Sequence, residues 1–213
     1  MPAAARTIIA GLTGGIGSGK STAESLCQAW GIPVEDADRW AHEILRSDHE
    51  VQRAVEEYFH TRYGMSVRTA TGELDRRAIA AKVFHDDAAL AALEALVHPR
   101  VKLRSEQWIA AQRAARVPVA VLIVPLLFES GMERQVDCVI TLAVPADERI
   151  RRLRAGRGWS EDDIRARMRR QFGEDERQQR ADYTVSNTGS IDDFAAALRR
   201  VLDQISARAY RAA

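Results

Sequence analysis

The chain has little that would direct it to a membrane or to a nucleic acid. Its formal net charge is only +1 over 213 residues, so no general field attracts a polyanion. No apolar run reaches the roughly 18 residues of a membrane span, and the N-terminus has no apolar segment of a secretory signal. We therefore expect a cytoplasmic protein without a nucleic-acid partner and without a membrane partner.

Cysteine and asparagine are also scarce, and this argues against two further classes of protein. Cys27 and Cys138 lie far apart in apolar surroundings and lack the spacing of metal ligands. Buried free thiols in a reducing compartment are the expectation. The Asn-Lys-x-Asp motif that reads guanine is absent, which counts against a GTP-dependent switch protein.

A glycine-rich run is the most informative feature that the chain does have. It contains the phosphate-loop signature G-x-x-x-x-G-K-S between an apolar stretch and a helical pattern. Glycines let successive backbone N–H groups point at an anion, and the following helix adds its positive end. Lys20 is expected to reach the outer phosphates of ATP, and Ser21 to ligate Mg²⁺. The predicted ATP-binding loop consists of Gly14, Gly15, Ile16, Gly17, Ser18, Gly19, Lys20, Ser21 and Thr22.

Short apolar runs alternate with helical patterns along the chain, which predicts an α/β fold. Residues 48–116 are mostly helical and are predicted to form a helical insertion, with one helix pattern giving way to the next at His98-Pro99. We expect a parallel five-stranded sheet flanked by helices, with ligands at the carboxyl ends of the strands. The expected strands are 7–13, 32–34, 117–128, 137–144 and 183–185.

Two acidic residues, Asp36 and Asp38, follow the second predicted strand. The carboxyl end of that strand should lie beside the phosphate loop, where a carboxylate could accept the proton of an acceptor hydroxyl or hold Mg²⁺. Asp38 is the preferred candidate. Because Asp is also a favoured N-cap, Asp38 could instead cap a helix that begins at Arg39. The residue pattern leaves both roles open.

Arginines are concentrated in the second half of the chain. Arg149 and Arg152 lie on one helix face and could place cations near a transferring phosphoryl group. The glycines around Arg157 would allow a helical lid, residues 148–179, to close over the nucleotide. For any single arginine, the alternative is a solvated helix face paired with Glu161 and its neighbours. The cluster comprises Arg149, Arg151, Arg152, Arg154, Arg157, Arg165, Arg167, Arg169 and Arg170.

Taken together, these motifs resemble the dephospho-CoA kinase family over nearly the whole chain. The His-Pro motif and the Pro-Leu-Leu-Phe-Glu motif, in this order and spacing, are its most specific elements. The resemblance rests on the phosphate loop, Asp36-Ala-Asp38, Gly72-Glu-Leu-Asp-Arg76, Val83-Phe84, Leu93-Glu-x-x-Val-His-Pro99, Val124-Pro-Leu-Leu-Phe-Glu129, Gln171, Ala181-Asp182 and Asn187-Thr-Gly189.

The resemblance implies one P-loop kinase domain over residues 1–208, a monomer or weak oligomer. It implies transfer of the ATP γ-phosphate to the 3′-hydroxyl of the dephospho-CoA ribose, the final step of coenzyme A synthesis. Within this domain it implies a core, an acceptor-binding insertion and a lid. The core would comprise 6–47, 117–147 and 180–208, the insertion 48–116 and the lid 148–179.

The family's functional residues map onto this chain one by one. Asp38 matches the proposed base, with Lys20 as the second catalytic residue and Asp38 with Ser21 as metal ligands. Asn187 matches a position near the adenine, beside Arg149 and Arg152 in the predicted ATP site. The acceptor side would be formed by Arg77, Phe84, His98, Pro99, Pro125, Leu126, Leu127, Phe128 and Glu129.

The chain departs from the family pattern at two places. Trp40-Ala41-His42 stands where Ile-Ala-Arg is common, and Gly156 stands where a lid arginine is usual, with Arg157 one place later. The alternative function is that of a kinase of the same fold acting on another small hydroxyl-bearing metabolite. The helical insertion would distinguish the two, because it builds the acceptor pocket.

Overall fold

The structure is a computed structural model that describes residues 6–211. Within that range five strands form a single parallel sheet in the order β2-β3-β1-β4-β5, as predicted. The segment 1–5, which was expected to carry no secretory signal, lies outside the described residues. The strands are β1 (Ile8–Gly14), β2 (Val34–Asp36), β3 (Val119–Ile123), β4 (Cys138–Ala143) and β5 (Tyr183–Ser186).

Nine α-helices connect these strands in the described range. Gly31 follows the first helix in the left-handed conformation, with φ of +69°, which is typical of a glycine at a helix C-terminus. None of the helices that the structure describes is long and apolar enough to cross a membrane. The helices are α1 (Lys20–Ala29), α2 (Ala37–Ser47), α3 (His49–Tyr63), α4 (Arg76–Phe84), α5 (Asp87–Ala114), α6 (Ala146–Arg157), α7 (Glu161–Met168), α8 (Glu174–Arg180) and α9 (Ile191–Arg211).

The central strands are buried because their residues are apolar on both faces. β1 is buried along its whole length and pairs with β3 on one side and β4 on the other. Such continuous apolar runs are typical of parallel strands that are covered by helices on both faces. The carboxyl ends of β1, β3 and β4 therefore meet at one edge of the sheet.

Two strands, the second and the third, differ most from their predicted ranges. The second strand occupies Val34–Asp36, so the chain reaches Asp36 while it is still paired with β3. The third strand ends at Ile123 rather than at Phe128. Because Pro125 has no N–H to donate to a neighbouring strand, the apolar residues that follow it form turns instead of extending the strand.

The final helix covers the sheet with an apolar stripe. Phe194, Leu198, Leu202 and Ile205 are buried in one core cluster with β1, β3 and β4. Burial of side chains of this size contributes roughly 1.5–3 kcal/mol each. Ile191, the first residue of this helix, has the same helical spacing but is 64% exposed.

Serine side chains cap the N-termini of two helices. The Ser160 hydroxyl accepts the Asp163 N–H at the start of α7, at 3.1 Å. The Ser190 hydroxyl accepts the Asp193 N–H at the start of α9, and the Asp193 carboxylate accepts the Ser190 N–H, both at 3.1 Å. Hydrogen bonds from Ser190 lower the pKa of Asp193. Each arrangement satisfies backbone donors that the helix itself leaves unpaired.

The chain divides into two compact units. One contains the sheet, with the described residues up to Asp36 and from Trp108 onward, and the other is Ala37–Gln107. The second unit overlaps the predicted insertion of 48–116 but begins at Ala37, directly after β2. It contains α2, α3, α4 and most of α5. The assignment of these parts as insertion, lid and core stays a prediction.

The predicted helix junction at His98-Pro99 is wrong. α5 continues through Pro99, although proline removes one hydrogen bond inside a helix. Val97, Val101 and Ser105 are buried at a spacing of four residues, while His98 and Pro99 are exposed. The buried stripe therefore runs past Pro99 without interruption, and its packing favours one long helix with the proline on the exposed side.

Candidate active site

The phosphate loop lies between β1 and α1, at the carboxyl edge of the sheet. Gly14 is the last residue of β1, and α1 begins at Lys20. Gly17 and Gly19 have φ values of +80° and +99°, in the left-handed region that favours glycine. The Ser18 N–H donates to the Gly15 carbonyl at 3.0 Å and closes a tight turn. This conformation is the kind that turns backbone N–H groups toward a bound anion.

The Lys20 ammonium lies over the beginning of this loop. Its Nζ donates to the carbonyl of Gly14 at 2.7 Å and to that of Gly15 at 3.2 Å. Ser21 lies in the first turn of α1 and is exposed, so its hydroxyl is accessible to a ligand at the helix N-terminus. Both side chains thus occupy the end of the helix that carries its positive partial charge.

Arg149 packs directly on the loop. Its side chain is 6% exposed, and its Nε donates to the Val144 carbonyl at 3.1 Å. A Cβ on Gly15 would lie 2.7 Å from the Arg149 Cζ, so a side chain there would have to displace the guanidinium. Burial lowers the pKa of Arg149, and the Arg177 charge lowers it further, while Glu174 acts in the opposite direction. The structure therefore brings this predicted residue to the loop.

Arg177 is a functional candidate that the sequence reasoning missed. It lies on α8 with its side chain 3% exposed, and its Nη2 lies 3.0 Å from where a Cβ on Gly15 would be. Its guanidinium donates to the Phe172 carbonyl and, at 2.6 Å, to Glu174. A surface pairing of Arg177 with Glu174 is what the i,i+3 spacing suggests. No signal in the pattern indicates that this pair is buried against residue 15.

Asn187 and Arg152 hold the other end of the loop. The Asn187 amide donates to the Ser18 carbonyl at 2.9 Å, and its Nδ2 occupies the space where a Cβ on Gly19 would be. Arg152 donates to the Asn187 carbonyl at 2.8 Å and to Glu148 at 2.7 Å. Both predicted residues therefore meet at the phosphate loop, Asn187 by direct contact and Arg152 through Asn187.

The segment after β3 is tied to the segment after α7. The Glu129 carboxylate accepts the Phe172 N–H at 2.7 Å, and the Phe128 and Phe172 rings stack at 6.4 Å. The Gln171 Oε1 accepts the Ile16 N–H of the phosphate loop at 2.8 Å. Residues 171 and 172 thus connect the predicted acceptor segment Pro125–Glu129 with the predicted ATP loop.

The members of the Pro125–Glu129 segment differ in exposure. Leu127 has no exposed surface and Phe128 is 8% exposed, so these two side chains pack in the interior. Pro125, Leu126 and Glu129 are half-buried, and the Pro125 carbonyl accepts the Thr13 hydroxyl at 3.3 Å. A role in acceptor binding stays a prediction for all five. Because the Leu127 side chain is fully buried, Leu127 could contribute to acceptor binding only through its backbone.

The remaining arginines of the cluster lie on the surface. Arg151 pairs with Glu148 at 2.7 Å, and Arg154 and Arg165 both pair with Glu161. These three arginines therefore lie on a solvated helix face and pair with glutamates, which was the alternative to a role in phosphate binding. Cation–π contacts to the Trp159 ring are made by Arg157 and Arg167, at 5.2 Å and 4.4 Å.

Other candidates lie in the second unit. Asp38 is in the first turn of α2, which begins at Ala37, so the interpretation of Asp38 as the N-cap of a helix starting at Arg39 is wrong. Arg77 is the second residue of α4, where its N–H donates to Asp75, and Phe84 ends that helix with its ring against His85. Their roles, and those of the exposed His98 and Pro99 on α5, stay predictions.

Comparison with known proteins decides the family. The family model described as dephospho-CoA kinase matches residues 8–193. The chain belongs to the dephospho-CoA kinase family. The dephospho-CoA kinase of Corynebacterium diphtheriae is 42% identical over 184 residues, which cover 86% of this chain and 90% of that protein. The dephospho-CoA kinase of Thermus thermophilus is 39% identical over 200 residues, covering 93% and 92%.

A solved structure agrees with this assignment. The dephospho-CoA kinase from Campylobacter jejuni superposes with a TM-score of 0.70 at 25% identity, covering 94% of this chain and 98% of that one. Because the superposition covers 94% of this chain, it includes residues of both compact units. The sequence-based resemblance is therefore confirmed at the level of family and fold.

Two positions were expected to depart from the family pattern. His42, at a position where the resemblance implies an arginine, lies on α2 and is exposed. Gly156 lies inside α6, and a Cβ added there would have no neighbour within 4 Å. The site around Gly156 is open, so nothing in the local packing excludes a side chain at that position.

The oxygen donors of the site suit Mg²⁺, the metal expected with ATP in this kinase family. In the first unit they are the Ser21 hydroxyl and the carboxylate of Asp36, the last residue of β2; the role of Asp38, which lies in the second unit, stays a prediction. Asp36 is in register with Ile123 on β3, which is in turn in register with Leu12 on β1. The ends of β2 and β1 are therefore two strand spacings apart, about 10 Å. Mg²⁺ usually keeps several waters and binds phosphates, so a small number of protein oxygen ligands is enough to hold it.

Proposed function

We propose that this protein transfers the γ-phosphate of ATP to the 3′-hydroxyl of dephospho-CoA, giving coenzyme A and ADP. The observation that carries the proposal is the match to the dephospho-CoA kinase family over residues 8–193. The relatives from Thermus and Corynebacterium bear the same name and align over most of their length. A cytoplasmic location and a monomer or weak oligomer are part of the proposal.

ATP binding would use the loop and the cations around it. The backbone N–H groups of the loop hold phosphate oxygens, and Lys20 leaves the Gly14 and Gly15 carbonyls to contact the outer phosphates. Arg149 already lies against Gly15 and adds a second charge. Catalysis of phosphoryl transfer consists mainly of positioning and charge neutralisation, which such an arrangement supplies without further covalent chemistry.

The acceptor hydroxyl would meet a carboxylate at the end of β2. Asp38 is in the first turn of α2, two residues after Asp36, the last residue of β2. A carboxylate there can orient the 3′-hydroxyl and take its proton as the oxygen attacks the γ-phosphorus. Bound Mg²⁺ would neutralise phosphate charge, with Ser21 and Asp38 as its protein ligands.

Candidate residues for binding the acceptor occur in each unit. In the second unit the candidates are Arg77, Phe84, His98 and Pro99, of which His98 is exposed on α5. In the first unit the candidate segment is Pro125–Glu129, fixed at its end by the bond from the Phe172 N–H to Glu129. An arginine, an aromatic ring and a histidine suit a nucleotide-like acceptor that carries phosphates and a base.

The proposal is tested by comparing acceptors. Purified protein with Mg-ATP is assayed with dephospho-CoA, with adenosine, with a set of nucleosides and with small sugars and sugar acids. We expect kcat/KM for dephospho-CoA to exceed that of every other acceptor by on the order of a hundredfold or more. A higher kcat/KM for a sugar or sugar acid would instead support the alternative kinase of the same fold.

A further inference from the structure

Two buried arginines meet at one glycine of the phosphate loop. The side chains of Arg149 and Arg177 are only 6% and 3% exposed. A Cβ added to Gly15 would lie 2.7 Å from Cζ of Arg149 and 3.0 Å from Nη2 of Arg177. The two guanidinium groups therefore lie beside each other, although they come from α6 and α8.

The positive charge of this pair is balanced only in part. One carboxylate, that of Glu174, contacts both groups, at 2.6 Å from Arg177 and 3.9 Å from Arg149. Two cations and one anion leave an excess positive charge in a site that is shielded from water. Such an excess is costly in a protein interior, so an additional anion at this place would stabilise the pair.

The hydrogen bonds of the pair are also incomplete. Within residues 6–211, the buried Nε of Arg177 has no hydrogen-bond partner, and neither has the fully buried Ser18 hydroxyl of the loop. Most buried donors in folded proteins are paired with protein or with a ligand. Unsatisfied polar atoms beside a loop built for phosphate point to a ligand rich in acceptor oxygens.

The position along the loop indicates which part of the ligand lies there. Lys20 donates to the carbonyls of Gly14 and Gly15, so Gly15 lies in the part of the loop that contacts the lysine ammonium. A phosphate-loop lysine contacts the β- and γ-phosphates. Asn187, by contrast, contacts Ser18 and Gly19, nearer the helix. The arginine pair therefore lies at the outer-phosphate end of the loop.

We infer that Arg177 is a second arginine of the ATP site, which binds the outer phosphates of ATP together with Arg149. This inference rests on the proposed function in taking ATP as the donor. The charge of the transferring phosphoryl group is spread over three oxygens, and two guanidinium groups neutralise it more fully than one. Glu174 contacts both groups and neutralises part of their charge before the nucleotide binds.

The test separates binding of the outer phosphates from binding of the rest of the nucleotide. Affinities for ATP and for AMP are measured by calorimetry without acceptor, and kcat is measured with it. For Arg177→Gln we expect ATP affinity to fall by about tenfold or more, AMP affinity to change by less than about twofold, and kcat to fall by roughly a hundredfold. Arg177→Lys should recover part of each loss, since it keeps the charge.

Two further variants control for a purely structural role. Arg199→Gln removes an exposed arginine of α9 that pairs with Asp203, and it should behave as the wild type. Glu174→Gln removes the shared carboxylate. It should strengthen the binding of inorganic tripolyphosphate by a few-fold while it lowers Tm, a combination that general loss of structure would not produce.

Different results would contradict this inference and the proposed function. Equal losses of ATP and AMP affinity in Arg177→Gln, or an unchanged kcat, would overturn the inference. If Arg177→Gln does not fold, unchanged ATP and tripolyphosphate binding in both Arg177→Lys and Glu174→Gln would overturn it. A wild type that binds ATP through Arg177 but does not phosphorylate dephospho-CoA would contradict the proposed function alone.

Discussion

The side-chain amide of Asn187 donates a hydrogen bond of 2.9 Å to the backbone carbonyl of Ser18, 169 positions away in the chain. The backbone N–H of Asn187 donates to the Ala143 carbonyl at the end of β4, and its own carbonyl accepts from Arg152. Because β1, β4 and β5 end at the same edge of the sheet, the residue after β5 can support the loop after β1. The shape of the phosphate loop therefore depends on residues that are distant in sequence.

Replacing Gly19 by alanine tests this support. Gly19 has φ of +99°, and a Cβ there would collide with Nδ2 of Asn187. We expect Gly19→Ala to weaken ATP binding by more than about tenfold and to lower Tm, because it strains the backbone and displaces Asn187. Gly156→Ala, inside α6 with open space around it, is the matched control and should raise stability by up to about 1 kcal/mol. Similar ATP affinities in the two variants would contradict the role given to Asn187.

The sequence predicts the sheet well because the relevant signals are local. Continuous apolar runs indicate β1, β3 and β4, and the loop signature stands between β1 and α1 as expected. Residues 160 and 190 begin helices as their capping patterns indicate. In each case a few neighbouring residues carry the whole signal, and tertiary packing does not oppose it.

The features that the sequence does not reveal depend on distant contacts. Arg177 lies in a charged heptapeptide helix that looks fully solvated, yet it is buried against Gly15. The bond from the Ile16 N–H to Gln171 joins positions 155 apart. Pro99 suggests a helix boundary, but a continuous buried stripe keeps α5 intact. Local patterns contain no information about which of these contacts the fold makes.

The role of Asp38 can be separated from that of Asp36. If Asp38 takes the proton of the acceptor, Asp38→Asn should lower kcat by roughly a hundredfold or more while ATP affinity stays close to that of the wild type. Asp36→Asn, at the end of β2, should lower kcat by a smaller factor. Calorimetry and steady-state kinetics measure the two quantities. Near-normal kcat in Asp38→Asn, or a larger loss in Asp36→Asn, would exclude Asp38 as the base.

Glu148 should make stability depend on pH below about 4.5. Hydrogen bonds from Arg151 and Arg152 lower the pKa of Glu148 from 4.5 to about 2 in the folded protein. The ionised form is therefore favoured by folding, and its contribution is present above pH 4.5 and lost as the pH falls to about 2. The Tm of the wild type should exceed that of Glu148→Gln at pH 7, and the difference should vanish near pH 2. A difference that is independent of pH would show that packing, not charge, accounts for it.

The two cysteines should be unreactive in the folded protein. Cys27 and Cys138 are buried and free, and burial raises the pKa of each thiol to about 12. Because the thiolate is the reactive form, we expect no measurable alkylation by iodoacetamide at pH 8, and two alkylated thiols after unfolding in guanidinium chloride. Intact-protein mass spectrometry counts the modified groups. Rapid alkylation of the native protein would contradict the buried positions of these side chains.

A labelling experiment tests the central claim, that the phosphate loop delivers a phosphoryl group to dephospho-CoA. ATP labelled at the γ-phosphate is mixed with enzyme, with and without dephospho-CoA, and the products are separated and analysed. We expect the label on the 3′-oxygen of coenzyme A in a one-to-one ratio with ADP, and little release of labelled phosphate without the acceptor. Labelled inorganic phosphate formed at the same rate with and without dephospho-CoA, and no labelled coenzyme A, would contradict the account.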